Sequence, residues 1–314
     1  MLIAMPMPDE FFRGHMARLA YINGIKTNEQ YAALISKRDA GIYKGSKGLS
    51  LTGLSAVAIG MPINEYAFLH SLAPLAQFLC HEDSNLKQEY WDNSAISIKK
   101  TKFAISTGQY CDKCAEEDIG FWGFSYWRRS HQIPGNYWCE KHGLHPLKRV
   151  ENGSTFERSP DYWESQRTYE SSFGADQFRD SVYVHKFIDA CQSILASRNL
   201  HLSVDIRKCL DQKLGRNLSG KSPKSRNPQL SNFIFDNFPI GFIISVSKSS
   251  ANKIENTYLS SIDGLVQLEN LKKADVMAFI LFCLSLFDTM DEFLNLLSNF
   301  SNQKNLAVEQ PTPF

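Results

Sequence analysis

The sequence lacks an excess of charge of either sign. Its 314 residues include 34 Lys and Arg against 33 Asp and Glu, which gives a formal net charge of +1 with neutral histidines. A protein that coats nucleic acid with a uniformly basic surface is therefore excluded, and any basic surface must be local. Hydrophobic residues make up 43% and charged residues 21% of the chain, as in ordinary globular proteins. The length predicts about two domains.

Long hydrophobic runs are also missing. The longest nearly apolar run covers residues 276–287, whereas even the shortest membrane helix needs roughly 17 residues. We expect this run to form a buried helix. The N-terminal residues 1–7 are apolar but lack the basic start of a signal peptide. The sequence therefore predicts a cytoplasmic protein, with reduced thiols and no membrane association.

Signatures of two hydrolytic enzyme classes are absent. No Gly-x-Ser-x-Gly nucleophile elbow occurs in the chain. Zinc deaminases combine His-x-Glu with Pro-Cys-x-x-Cys, but here Tyr110 precedes the Cys-x-x-Cys pair and no His-x-Glu occurs. The acidic cluster at 116–118 is typical of a solvated helix face or of a first helical turn. We therefore predict a protein that is not an enzyme.

The seven cysteines are unevenly placed, and their odd number argues against a complete disulfide framework. Cys111 and Cys114 form Cys-x-x-Cys, and Cys139 and His142 form Cys-x-x-His. Each pair brings two ligands together on a tight turn, and two such turns complete the tetrahedral coordination of zinc. Four protein ligands leave no open position, so we predict one structural Zn²⁺, with His145 left open as a substitute for His142. The other cysteines are isolated in apolar patterns and are predicted to be core residues: Cys80, Cys191, Cys209 and Cys283.

Aromatic residues are concentrated between the two cysteine pairs. A small zinc module has too few residues for a conventional core, so we expect Trp122, Phe124, Tyr126 and Trp127 to supply it. His131 fits neither ligand pair and is predicted to be a hydrogen-bonded structural residue. Arg128 and Arg129 have two interpretations, since they can bind phosphate oxygens or pair with the acidic residues at 116–118.

A dense motif runs through this cysteine-rich region. In order, it contains Cys111-Asp-Lys-Cys114, Glu117-Asp118, Gly120, Tyr126-Trp127-Arg128, His131-Gln132-Ile133-Pro134-Gly135 and Cys139-Glu-Lys-His142-Gly143. The motif resembles that of the TniQ/TnsD family of transposon target-selection proteins. Segments nearer the N-terminus are also similar to the family: Pro8-Asp9-Glu10, Arg18-Leu19-Ala20, Asn23-Gly24 and residues 69–75. Asp112 is a departure, because the family usually has proline at this position.

The resemblance implies a bacterial DNA-targeting adaptor rather than a nuclease or a transposase. Such a protein is expected to bind double-stranded DNA and to recruit the transposon AAA+ ATPase, which acts with the transposase subunits. The alternative is a TniQ-type adaptor that docks on the effector subunits of an RNA-guided CRISPR complex and recognises little DNA sequence itself. The sequence does not decide between a monomer and a homodimer.

The periodicity predicts a mainly α fold that includes a small zinc-ribbon-like module with short β-strands. In the N-terminal part, Asp9 is expected to cap a first helix that stops at Asn23-Gly24. Further helices are predicted to begin near Thr27, Ser50 and Ile63. The turn Gly60-Met61-Pro62 gives the last two a helix-turn-helix layout that would present Asn64, Glu65 and His70, with a plain helical hairpin as the alternative.

The predicted organisation has an N-terminal helical part, a zinc module, a linker, a C-terminal helical domain and a disordered tail. The corresponding residues are 1–100, 101–150, 151–180, 181–298 and 299–314. The C-terminal domain looks like the DNA-binding half of TnsD proteins. Apolar patterns predict helices over 184–195, 206–214, 230–238 and 276–297, whereas 240–246 fits a strand or a helix.

Positive charge is concentrated in residues 206–228, where seven Lys and Arg stand against one Asp. A basic helix end that leads into a Gly/Ser/Lys-rich segment is able to follow a phosphate backbone. A solvated linker is the alternative. The candidate DNA contacts are Arg128, Arg129, Arg207, Lys208, Lys213, Arg216, Lys221, Lys224 and Arg226.

Overall fold

The computed structural model describes residues 2–26, 30, 59–77, 107–151, 155–167, 169–171, 174–197, 212–215, 230–247, 263 and 276–295. These residues are mainly helical, with short strands near the cysteines, which confirms the predicted fold class. The chain divides into two compact units, Met1–Pro74 with Asp83–Arg179 and Leu75–Glu82 with Asp180–Phe314. The finer boundaries of the five parts stay predictions. The starts of the helices expected near Thr27 and Ser50, together with Cys80, Cys209 and the tail, lie outside the described residues.

The first helix, α1 (Phe12–Ile22), begins without a side-chain cap. Phe11 is its N-cap residue, so the prediction that Asp9 caps it is wrong. Asp9 adopts a φ of 57°, and its carboxylate instead accepts hydrogen bonds from the Ser130 amide at 3.1 Å and hydroxyl at 2.6 Å. A capping residue that has a tertiary partner is not recognisable from local sequence. The end of α1 is as predicted, because the Asn23 amide donates to the Leu19 carbonyl at 3.2 Å.

Two further helices of the N-terminal region are α2 (Ile63–His70) and α3 (Ala73–Gln77). Gly60, with a φ of 73°, forms the predicted turn before α2. His70 is buried and its Nδ1 donates to the Glu10 carbonyl at 2.9 Å, so the expectation that α2 presents it at the surface is wrong. Asn64 is exposed, as expected.

Short strands and one longer helix surround the cysteines. The strands are β1 (Gly108–Tyr110), β2 (Trp138–Cys139), β3 (His145–Pro146), β4 (Lys148–Val150) and β5 (Glu170–Ser171). They form an antiparallel sheet in the order β1-β4-β5 and a separate β2-β3 hairpin. The helix α4 (Asp112–Trp122) follows β1 directly and ends at Gly123, whose φ of 80° suits glycine.

Trp127 is the centre of the core of this region. Its ring packs edge-on against Tyr110 at 5.8 Å and Phe156 at 5.1 Å between centroids. A Cβ added at Gly108 would lie 2.6 Å from the same indole, so this glycine permits the close packing of β1. Burial of Tyr126 and Trp127 confirms the aromatic core, but Trp122 is 44% exposed and does not belong to it.

The residues predicted as a linker contain two more helices, α5 (Pro160–Gln166) and α6 (Ala175–Phe178). Proline at the first position of α5 suits a helix start, since its missing N–H needs no partner there. Helix α5 packs against α4. The Trp163 indole is buried and donates to the Thr155 carbonyl at 2.8 Å. This segment is therefore part of the same compact unit as the cysteine cluster.

The second unit is helical in the residues that the structure describes. Its longer elements are α7 (Val182–Ala196), α8 (Leu230–Asn237), α9 (Ile240–Val246) and α10 (Val276–Leu286). The buried stripe of α7 is the predicted one, and residues 240–246 prove helical. The long terminal helix is interrupted at 287–289 and resumes at 290–295, which corrects its predicted continuity. In the described part of the chain, no helix combines the length and apolar character needed to cross a membrane.

Candidate metal centre

Four side chains from α4 and the β2-β3 hairpin converge on one point. Cys111 precedes α4 and Cys114 lies in its first turn, whereas Cys139 ends β2 and His142 lies in the short helical turn that follows. His142 Nδ1 is 3.4 Å from Cys111 Sγ and Cys114 Sγ, and 3.5 Å from Cys139 Sγ. The sulfurs of Cys114 and Cys139 are 3.6 Å apart.

These separations match the edges of a zinc coordination tetrahedron. Bond lengths of ~2.3 Å to sulfur and ~2.0 Å to nitrogen give edges of ~3.8 Å between sulfurs and ~3.6 Å between sulfur and nitrogen. All four donor atoms lie within 4.8 Å of one another, so Cys111, Cys114, Cys139 and His142 could hold a metal ion. Three thiols and one imidazole are the soft donor set that suits zinc.

The local sequence explains why the second pair converges. Gly143 and Leu144 both adopt positive φ, of 63° and 62°. This turns the chain back, and the Leu144 amide donates to the Cys139 carbonyl at 3.1 Å. In the resulting hairpin, Cys139 lies opposite His145. The glycine after His142 therefore allows the tight turn that the Cys-x-x-His spacing requires.

His145 belongs to a neighbouring group rather than to the cluster of four. Its Nε2 lies 2.6 Å from Asp112 Oδ1, and Lys148 Nζ lies 3.0 Å from the other oxygen of this carboxylate. Cys111, Asp112 and His145 form a smaller set of potential donors. His142 is therefore the fourth member of the cluster, whereas His145 contacts Asp112, the residue at which the sequence departs from the family pattern.

The carboxylate of Glu117 contacts the cluster from outside. Its Oε1 lies 2.9 Å from His142 Nε2, the ring nitrogen that faces away from the thiols. Its Oε2 accepts a hydrogen bond from Lys141. Of the two positions predicted for the acidic cluster, the solvated helix face applies to Glu117, which is half exposed and lies beyond the first turn of α4. Its place on the helix also brings it to the histidine.

Arg128 is engaged inside the domain. Its guanidinium donates to Asp118 at 2.6 Å and to the Tyr126 hydroxyl at 2.5 Å. Burial raises the pKa of Asp118 to about 6 despite the opposing charge of Arg128. The pKa of Cys114 is raised, first by its hydrogen bond with Cys111, and the charge of Arg128 opposes this only in part. Of the two interpretations of Arg128, internal pairing with the acidic cluster is the one present in the structure.

Arg129 is also engaged, and it connects three segments of the first unit. It donates from Nε to Asp9 at 3.2 Å and from Nη1 to the Phe68 carbonyl at 2.6 Å. The Arg129 amide also donates to the Asp9 carbonyl at 2.7 Å. These contacts join the N-terminal segment, α2 and the loop after α4. No pattern in the sequence had indicated Asp9 as the partner, because the two residues are far apart along the chain.

His131 is fully enclosed, as a structural residue would be. Burial lowers its pKa to about 3, with further contributions from Arg128 and His142. Its Nδ1 has no hydrogen-bond partner among the described residues.

The basic segment is described only at residues 212–215. Lys213 Nζ lies 2.7 Å from Glu292 Oε1 and 4.8 Å from the centre of the Phe287 ring. Lys213 is therefore paired within the second unit. The remaining candidates lie outside the described residues: Arg207, Lys208, Arg216, Lys221, Lys224 and Arg226.

The same segment contains a motif that a count of charges does not reveal. Residues 215–222 read Gly-Arg-Asn-Leu-Ser-Gly-Lys-Ser, which matches the Gly-x-x-x-x-Gly-Lys-Ser/Thr phosphate-loop pattern. A phosphate loop follows a β-strand, whereas residues 212–214 are helical and Gly215 ends them with a φ of 60°. The described residues therefore do not provide the context that this motif requires.

An aromatic groove of about 580 Å³ also escaped the sequence patterns. It lies between α1, the loop after α4 and α5, and its walls include Tyr21, Phe124 and Tyr162. Arg18, held by Glu10 at 2.6 Å, lies over the Phe124 ring. The lining comes from separate segments of the chain, so periodicity within any one of them gives no sign of it.

Comparison with known families gives a match in the N-terminal half of the chain. A protein-family model, TniQ, matches residues 2–145, which include α1 to α4 and all four side chains of the cluster. The chain carries a TniQ domain. This confirms the resemblance seen in the motif and supports a TniQ family transposition protein. TniQ proteins are regulators or adaptors rather than catalysts, and the domain supports a role in transposition target selection. The comparison with curated proteins found no match for this chain.

Proposed function

We propose that this TniQ protein selects the target site in DNA transposition without catalysing strand transfer. It binds double-stranded DNA and recruits the transposon AAA+ ATPase, which in turn engages the transposase. The observation that carries the proposal is the match of residues 2–145 to the TniQ family model. The closed set of four potential ligands agrees with it, because such a site has no open position for substrate.

We further propose that Cys111, Cys114, Cys139 and His142 hold one structural Zn²⁺. When bound, the ion would supply four coordinate bonds that join the start of α4 to the β2-β3 hairpin. The hydrogen bond from Cys111 raises the pKa of Cys114 to about 11 in the absence of metal. Binding is therefore expected to release protons and to weaken at low pH.

DNA contact is proposed for the basic segment at 206–228 rather than for the metal module. Arg128 and Arg129 are engaged by Asp118 and Asp9, so their guanidinium groups support the domain itself. The basic segment has seven Lys and Arg against one Asp, a local charge density that suits a phosphate backbone.

Salt-dependent DNA binding tests this proposal. Duplex affinity is measured between ~50 and ~200 mM salt for the full chain and for the triple variant Lys221→Ala, Lys224→Ala, Arg226→Ala. Each lost phosphate contact is expected to reduce the slope of log affinity against log salt by about 0.9. The matched control, Lys26→Ala, Lys113→Ala, Arg167→Ala, removes the same charge from exposed positions in the first unit. Equal slopes in all three proteins would contradict DNA binding by the basic segment.

The second candidate function is an adaptor that docks on an RNA-guided CRISPR complex. The observation in its favour is that Arg128, Arg129 and Lys213 are paired within the protein. Such an adaptor copurifies with CRISPR effector subunits and has little duplex affinity of its own. Copurification with the ATPase from cells that lack an effector complex supports direct targeting instead.

A further inference from the structure

We propose that Glu117 is a positioning residue for the metal centre, holding the His142 ring so that Nδ1 faces the three thiols. The inference rests on the proposed zinc site, and it assigns a role to a residue outside the ligand set. Its basis is the contact of 2.9 Å between Glu117 Oε1 and His142 Nε2.

The geometry selects one tautomer of His142. A metal ligand needs a lone pair on Nδ1, so the single proton of a neutral imidazole must be on Nε2. An ionised carboxylate only accepts hydrogen bonds, so Glu117 favours a proton on the nitrogen that it contacts. The other nitrogen then presents its lone pair to the sulfurs, which lie 3.4 to 3.5 Å away. Carboxylates in this outer position both orient a ligating histidine and increase its basicity.

The placement of Glu117 follows from α4. Residues three apart on a helix are neighbours on its surface, so Glu117 lies next to Cys114 and faces the hairpin that carries His142. The preceding carboxylate, Glu116, is rotated away from this position and is exposed. Helix α4 thus supplies one ligand, Cys114, and the outer partner of another ligand.

Lys141 shares the same carboxylate. It donates to Glu117 Oε2, while His142 lies at Oε1, so adjacent residues of the hairpin hold the two oxygens of one side chain. The lysine partly neutralises the carboxylate and thereby weakens its effect on the histidine. Removal of Lys141 is therefore not expected to weaken metal binding. If the Glu117–Lys141 ion pair only held the hairpin against α4, removal of either residue would weaken metal binding equally.

Zinc affinity of the full chain, measured by competition with a chromophoric chelator, tests the proposal. Glu117→Ala is expected to weaken zinc binding about 10-fold, the lower end for outer-shell partners, because the carboxylate is half exposed. Glu117→Gln keeps an acceptor oxygen but loses the charge, so its affinity should lie between those of Glu117→Ala and the parent protein. Glu116→Ala is the matched control and should bind zinc as the parent protein does, and Lys141→Ala should bind at least as tightly.

A second readout follows the histidine itself. In the zinc-loaded parent protein, the Nε2 proton of His142 should be visible by NMR and should exchange slowly with solvent. In zinc-loaded Glu117→Ala its exchange should accelerate, while in Glu116→Ala it should stay slow. A general loss of structure in Glu117→Ala would also shift amide signals throughout the first unit, and this distinguishes misfolding from loss of the hydrogen bond.

The outcomes separate this inference from the zinc site on which it rests. If the parent protein binds no zinc, the zinc site is overturned and the positioning role falls with it. If the parent protein binds zinc and Glu117→Ala matches Glu116→Ala in affinity and proton exchange, the positioning role is overturned while the zinc site stands. An equal loss of affinity in Lys141→Ala and Glu117→Ala would also overturn it, since the ion pair would then act only as a clasp.

Discussion

The two units of this protein bury their interiors in different ways. In the second unit, α10 is buried on all sides from Val276 to Leu284, and its side chains there are all apolar or cysteine. In the first unit, the region around the cysteine cluster buries polar and charged groups beside its aromatic residues, including Asp118, His131 and Gln132. The core around α10 is hydrophobic packing, although the same unit also buries Asp263, whose carboxylate accepts hydrogen bonds from the Ser231 amide and hydroxyl at 2.8 Å. The cysteine-rich region has short strands and few aliphatic residues, and it contains ion pairs, aromatic packing and the proposed metal site instead.

The largest effect is expected when the metal centre is broken. Cys139→Ser removes one of four ligands, so the first unit should lose zinc and much of its order around α4, whereas α7 and α10 should remain protected. Hydrogen exchange resolved along the chain is the measurement. Equal loss of protection in both units would show that their stabilities are not distinct.

The reciprocal change is made in the second unit. Phe279 is fully buried in α10 and its ring contacts Phe293 at 6.0 Å. Phe279→Ala should destabilise this unit by about 4 kcal/mol, through lost burial and a cavity. Chemical denaturation gives the free energy of unfolding, and metal analysis should show unchanged zinc. Loss of zinc in this variant would contradict the expectation that the metal centre is independent of the stability of the second unit.

The buried ion pair of the first unit should have a somewhat smaller effect. Arg128→Ala leaves Asp118 buried without its 2.6 Å partner, and the free energy of unfolding should fall by about 3 kcal/mol. The matched control is Arg149→Ala, because Arg149 is paired with the half-exposed Glu151. If the free energy of unfolding falls equally in both variants, the buried pair contributes no more to stability than the exposed one.

The first unit should also lose stability in acid. Burial lowers the pKa of His15 to about 4, from 6.5, so the folded protein keeps this ring neutral. The unfolded chain therefore takes up the proton first as the pH falls. The contribution of His15 to the free energy of unfolding is therefore fully present above pH ~6.5. It is lost progressively as the pH falls toward ~4, by up to about 3 kcal/mol.

His15→Gln provides the test of this pH dependence. Glutamine does not titrate, so the free energy of unfolding of the first unit should fall less between pH 6.5 and pH 4 than in the parent protein. His70, whose pKa burial also lowers, should account for part of the fall that remains. A fall of unchanged size in the variant would exclude His15 as a source.

The convergence of the four potential ligands could be predicted from sequence because the information for it is local. Each pair, Cys111 with Cys114 and Cys139 with His142, lies on a single turn, so spacing alone indicates convergence. The buried face of α7 could also be predicted, since its apolar residues recur with the period of a helix and are the residues that the structure buries. The interruption of the terminal helix at 287–289 could not be predicted, because the apolar pattern of the sequence continues through these residues.

Contacts between distant segments were not predictable in this way. The residue type and position of Asp9 are typical of a helix cap, but its carboxylate accepts a hydrogen bond from Ser130. Those of Glu117 are typical of a solvated residue, but its carboxylate contacts His142. Arg128 had two chemically reasonable partners, and only the fold decided for Asp118. A polar side chain satisfies its hydrogen bonds with whatever tertiary partner the fold brings near, and one sequence does not specify that partner.

The most direct test of the central claim is the zinc content of the purified full chain, measured by mass spectrometry under native conditions. The account predicts one zinc per chain, lost in Cys139→Ser and kept in Cys191→Ala, which alters a buried cysteine of α7 instead. A parent protein without zinc, or a Cys139→Ser variant that retains it fully, would contradict the metal centre on which the TniQ domain is proposed to depend.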